Sequence, residues 1–144
     1  MNRGMIKLEH IPMPPIANHR LMPSKGRLIK SPDARDFDKA IQVWMLRQKS
    51  ALFDYRRKAR DMIVDLKLFS IKLDFYWPKE SLVSKNGVPK KIDLDGRIKS
   101  AIDAVSIIID QDDKYVIKIE AHKLIWNKIY SEFNAEILPI NWNA

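Results

Sequence analysis

Cysteine is missing from this chain altogether, and histidine occurs only as His10, His19 and His122. The first absence excludes disulfides and thiolate metal sites and fits a reducing compartment, so a cytoplasmic protein is expected. The second leaves imidazoles too scattered for a zinc site. Long apolar runs are lacking as well. Nothing approaches the roughly 18 residues of a membrane-spanning helix. The opening MNRGMIKLEHIPMPP is broken by Glu9, His10 and prolines before a signal-peptide core could form. The chain is therefore expected to be unprocessed and to stay off the membrane. Without internal repeats or low-complexity tracts nothing divides its 144 residues, and one domain over residues 1–144 is expected.

What the chain has in surplus is positive charge: 26 lysines and arginines against 18 acids, a formal net charge of +8. That balance favours an anionic partner through long-range attraction and counterion release, with nucleic acid first and an acidic membrane surface second.

Apolar patterning gives the elements. GMIKLEHIP alternates as a strand, with Ile6, Leu8 and His10 on one face, and is followed by a proline-rich turn. Arg27 to Pro32 predicts a short second strand. From Pro32 onward, Phe37, Ile41, Trp44, Leu52, Tyr55 and Met62 fall at helical spacing, predicting a long helix with a break near Ser50. DLKLFSIKLDFYWP predicts a strand whose apolar face carries Phe69, Ile71, Leu73, Phe75 and Trp77. Lys79 to Lys91 reads as an exposed basic loop or hairpin turning at Asn86-Gly87. Ile98, Ala101, Ile102, Val105 and Ile109 then form one stripe of a helix at about 100° per residue. Strands follow at Tyr115 onward and around Glu136 to Ile140. Strands and helices in this order predict an α/β (α+β-like) fold, a mixed β-sheet with helices packed on one face.

Within this basic chain, Asp93, Asp95, Asp103, Asp112 and Asp113 crowd into KKIDLDGRIKSAIDAVSIIIDQDDKYV. Two readings are open. Asp93 and Asp95 can serve a helix N-terminus while Asp112 and Asp113 shape a turn. Alternatively, carboxylates set in a basic surface would repel a phosphate backbone unless a divalent cation lies between them. Magnesium takes one or two carboxylates together with water and phosphate oxygens. Lys99, one turn after Asp95, could hold the scissile phosphate. The second reading makes a geometric demand, because a helix of about 15 residues spans ~22 Å and separates Asp113 from Asp95 unless the chain returns.

DLDGRIKSAIDAVSIIIDQDDKYV resembles the core of the RusA family of Holliday junction resolvases. Their pattern is D-L-D-N-x-x-K-x-x-x-D-A-L followed by a D-D pair leading into a strand. Asp93, Leu94, Asp95, Lys99, Asp103, Ala104, Asp112, Asp113 and Val116 fall into it, with Gly96 where the family has asparagine. Pro14, Pro15 and Asn18 match the family's opening turn. The resemblance implies a magnesium-dependent endodeoxyribonuclease that cuts four-way (Holliday) junctions as a homodimer in DNA recombination and repair, from a bacterial, phage or prophage source. It implies Asp93, Asp95 and Asp113 as Mg2+ ligands and catalytic residues, with Asp112 the neighbouring alternative to Asp113, and Lys99 as the catalytic lysine. DNA contact is expected from Lys85, Lys90 and Lys91, which lead into the acidic motif, and from Asn18 and Arg20 in the opening turn. The competing functions are a non-catalytic module that binds branched DNA and a phage nuclease acting on flaps or forks.

Overall fold

Burial follows side-chain parity, and this builds the sheet. In the computed structural model, which describes residues 4–16, 21–24, 26–92 and 94–142, the main sheet has four strands in the order β1-β6-β4-β5. These are β1 (Ile6–Pro12), β4 (Leu68–Pro78), β5 (Val116–Trp126) and β6 (Glu132–Ile140). Along β4, Phe69, Ile71, Leu73, Phe75 and Trp77 are buried, while the residues between them stay partly exposed. Phe133, Ala135 and Ile137 of β6 continue the buried face, and β1 adds Ile6, Leu8 and Ile11. Each large side chain so buried contributes about 1.5–3 kcal/mol. A second sheet pairs β2 (Leu21–Ser24) with β3 (Arg27–Lys30).

The helices cover the apolar face. α1 (Pro32–Gln48) and α2 (Ser50–Val64) bury Ala34, Ile41, Trp44, Ala59 and Met62. Ser31 caps α1 by accepting from Ala34 N at 3.2 Å. The expected break near Ser50 falls at Lys49, whose φ of 54° and ψ of −125° end one helix and start the next. After β4 comes a single helical turn, α3 (Lys79–Leu82), and then α4 (Asp95–Ile109). α4 buries Ala101, Ile102, Ala104, Val105, Ile108 and Ile109.

Three expectations are adjusted by the structure. His10 does not share the face of Ile6 and Leu8: its φ is +58°, and the β1–β6 register slips between Leu8 and Ile11, so a bulge turns Ile11 into the core instead. The proline-rich turn holds over residues 13–16, but an unexpected strand, β2, follows it and pairs with β3. The last strand starts at Glu132 and not at Glu136: Phe133, Ala135 and Ile137 bury one face against Glu132, Asn134 and Glu136 on the other, an alternation that begins four residues earlier than expected.

Candidate active site

β4 and β5 run parallel, so the chain must cross over between them, and α4 makes the crossing. This sets the carboxyl ends of both strands and the N-terminus of α4 at one end of the sheet, where open α/β units bind ligands. Arg97 fixes the corner: its guanidinium carbon lies 5.7 Å from the centroid of Trp77, and Nη1 donates to the Pro14 carbonyl at 2.7 Å. The segment after β1 is thereby tied to the first turn of α4.

Asp95 is the first residue of α4 and is exposed, as is Lys99 one turn later, with half-buried Asp103 extending the stripe. The cap position belongs to Leu94, whose side chain accepts nothing and whose carbonyl takes Arg97 N and Ile98 N at 3.0 and 3.1 Å. Asp95 thus stands in the first turn, where the helix dipole favours a negative charge, without being used as a cap. Asp93, Asn18 and Arg20 lie outside the described residues.

Asp113 is at the other end. α4 keeps all 15 residues its pattern implies, about 22 Å of helix. It ends at Asp110, a left-handed residue (φ 56°), where Gln111 N returns to the Ser106 carbonyl at 3.0 Å. Arg56 of α2 also donates there, from Nε to the Ile108 carbonyl at 3.1 Å. A 3₁₀ turn, Asp113–Tyr115, then leads into β5 beside Phe69, the amino end of β4. The return strand runs from Asp113 toward the Asp95 end, so one chain keeps these two carboxylates apart. Asp112 is engaged locally, accepting from Lys114 N at 2.8 Å, which leaves exposed Asp113 the better placed of the pair to meet a ligand. Among the described residues no three His, Cys, Asp or Glu side chains gather as a metal site.

The basic rim is built from the β4–α4 connection. Val83 bridges to Pro89, and the turn between them closes at Gly87 (φ +78°), whose N–H reaches Ser84 O at 2.9 Å. This is the expected hairpin, preceded by one turn of helix. Lys79, Lys85 and Lys91 are exposed on it, while Lys90 donates from Nζ to the Glu80 carbonyl at 2.6 Å and so also braces the loop. The uncovered sheet face has the opposite character. Glu9, Asp74, Glu120, Glu132 and Glu136 outnumber Lys7, Lys72 and Lys118 there, and His10 and His122 pair with Glu132 and Asp74 at 2.9 and 3.0 Å. An anionic partner is drawn to the loop end and away from that face.

Sequence reasoning missed two features of this end. Arg97 reads as one more surface cation, and nothing in its neighbours signals the contact with Pro14, 83 residues away. Trp126 packs between Tyr76, stacked at 5.1 Å, and Tyr130, edge-on at 5.3 Å. No periodic pattern marks that group, because Trp126 ends β5 and Tyr130 lies in the bend that follows.

The family model described as endodeoxyribonuclease RusA matches residues 12–135 of the chain. No curated protein matches it as a relative.

Proposed function

The chain belongs to the RusA endodeoxyribonuclease family, and from that premise we propose that it is a magnesium-dependent nuclease that resolves four-way DNA junctions as a homodimer. The observation that carries this reading is the placement of Asp95 and Lys99, exposed one turn apart at the carboxyl ends of two parallel strands and rimmed by lysines. The donor chemistry suits Mg2+, since the carboxylates Asp93, Asp95 and Asp113 are hard oxygen ligands and the chain has no thiolates. Bound there, the ion would lower the pKa of a water and offset charge on the phosphate. The chain's own residues do the rest. Lys99 reaches a phosphate oxygen and stabilises the charge that grows on it during displacement. Lys85, Lys90 and Lys91, with Asn18 and Arg20, hold the flanking backbone.

Geometry supports the homodimer reading, as does the family. Asp113 is too far from Asp95 along its own chain, but β5 is an edge strand of 11 residues. Two β5 strands paired antiparallel about a two-fold axis would set the Asp113 end of each beside the Asp95 end of the other. Each site would then take Asp93, Asp95 and Lys99 from one protomer and Asp113 from its partner. The dimer would present two such sites to the two like strands of a junction.

Incubation of the purified protein with labelled four-way, forked, flapped and linear DNA, with and without magnesium, tests the reading. Metal-dependent paired cuts in the four-way junction are expected. Binding without cutting would make this a branched-DNA-binding module, and preferential cutting of forks or flaps would move the substrate.

A further inference from the structure

The connection from β5 to β6, residues 127–131, has to pass over the end of β4, because β6 lies on the far side of β4 from β5. It is braced where it crosses. Tyr76 of β4 stacks on Trp126, Trp126 meets Tyr130 edge-on, and Trp126 Nε1 donates to the Tyr130 carbonyl at 2.7 Å. At the middle of this braced crossing Ile129 is 96% exposed, followed by Tyr130 at 45%. A single exposed isoleucine is ordinary on a protein surface. Here it is held up by an aromatic support, beside exposed Lys128, at the end of the sheet that carries Asp95, Lys79, Lys85 and Lys91.

We propose that this crossing loop recognises the branch of a DNA substrate, with Ile129 inserting against unstacked bases at the branch point. Tyr130 covers the exposed base face and Lys128 meets a flanking phosphate. The proposal rests on the branched-DNA reading above and adds the element that selects the branch. Apolar wedges enter DNA by separating neighbouring base steps, which costs stacking free energy in continuous duplex. At a branch the helical stack is already interrupted, so the same wedge enters at lower cost, and aromatic contact with an open base face compensates further. The surrounding lysines bind any duplex; the wedge distinguishes a junction from a duplex.

The test uses a four-way junction with 2-aminopurine beside the branch point, in calcium so that no strand is cut, with a linear duplex for comparison. Wild-type protein is expected to raise the 2-aminopurine fluorescence and to prefer the junction. Ile129→Asp is expected to abolish the rise and lower the junction-over-duplex preference about tenfold, the size of one stacking contact, on top of any smaller loss its new charge causes on both DNAs alike. Ile129→Leu is expected to keep both signals. Because Ile129 touches solvent on nearly every side, these variants are expected to keep the wild-type thermal midpoint. A full rise and full preference in Ile129→Asp would overturn the wedge, and so would a loss of affinity shared equally by junction and duplex. A wild-type protein that prefers junctions without any rise would also defeat the wedge, while leaving the branched-DNA reading standing. If wild type shows no preference for the junction, both fall.

Discussion

Asp95 opens α4 and Asp113 lies beyond its close, with 17 residues between them, 14 of them helical. In the proposed dimer a site using both carboxylates is shared between chains, and sharing makes a distinctive prediction. Asp95→Asn and Asp113→Asn proteins should each be inactive alone. Mixed after dissociation and reassociation, they should regain nicking, because one site of the hybrid joins the intact Asp95 of one chain to the intact Asp113 of the other. Open-circular product from a supercoiled plasmid carrying a junction is the measurement. A site contained within one chain would give no rescue at all.

Asp95 and Lys99 are expected to fail in different ways. If Asp95 holds the proposed metal, Asp95→Asn removes a ligand together with a repulsive charge, so cleavage should vanish while junction binding stays level or tightens. If Lys99 acts on phosphate as proposed, Lys99→Ala should lower turnover by about 100-fold or more while magnesium affinity is unchanged. Single-turnover cleavage and metal titration separate the two. A Lys99→Ala enzyme at wild-type rate would demote the lysine to a surface residue.

Much of this architecture was legible in the sequence. β4 could be read because Phe69 through Trp77 alternate on one wholly buried face, and α4 because its stripe from Ile98 to Ile109 is unbroken. The break at Lys49 showed as a lapse in spacing. Other features left no trace in apolar pattern. The His10 bulge depends on a positive φ that alternation does not encode, and β2 contains Pro23, which reads as a turn. The acidic motif fixes residue spacing, but spacing through a helix gives separation and not proximity. That separation was legible, but the β5 edge that can bring Asp113 of one chain to Asp95 of another emerged only from strand order.

Lys49 offers a test of backbone strain. Its φ of 54° and ψ of −125° lie where a Cβ is crowded and glycine is at ease. Lys49→Gly should relieve that strain by more than it adds chain entropy to the unfolded state, for a net gain of about 1 kcal/mol. At this chain length the thermal midpoint should rise by roughly 2–4 °C. A fall would mean that the α1–α2 corner tolerates its lysine without strain.

Tyr55 predicts an alkaline limit. Burial lifts its hydroxyl above the ordinary value of 10.0, helped by the negative charges of Glu9 and Asp54. The folded state therefore favours the neutral phenol. The resulting stability is complete below the ordinary value and is lost as pH rises through the raised one. Against a Tyr55→Phe variant, which cannot ionise there, wild type should lose thermal midpoint above about pH 10 and hold a constant offset below it. Parallel curves across that range would remove Tyr55 as the cause.

The basic loop can be weighed by salt. Lys85 and Lys91 are exposed, whereas Lys90 also braces the loop through the Glu80 carbonyl. Phosphate contacts release counterions, so each one lost should flatten the slope of log affinity against log salt by about 0.9 on duplex. Changing Lys85 and Lys91 to alanine should lower both affinity and slope without moving the thermal midpoint. Adding Lys90→Ala should lower them further and also loosen the loop, detectable as faster amide exchange between Leu82 and Lys90, whose N–H is held by the Leu82 carbonyl at 2.7 Å. Duplex and junction should suffer equally, since backbone contacts carry no branch information. A slope unchanged in the triple variant would place the DNA on another surface.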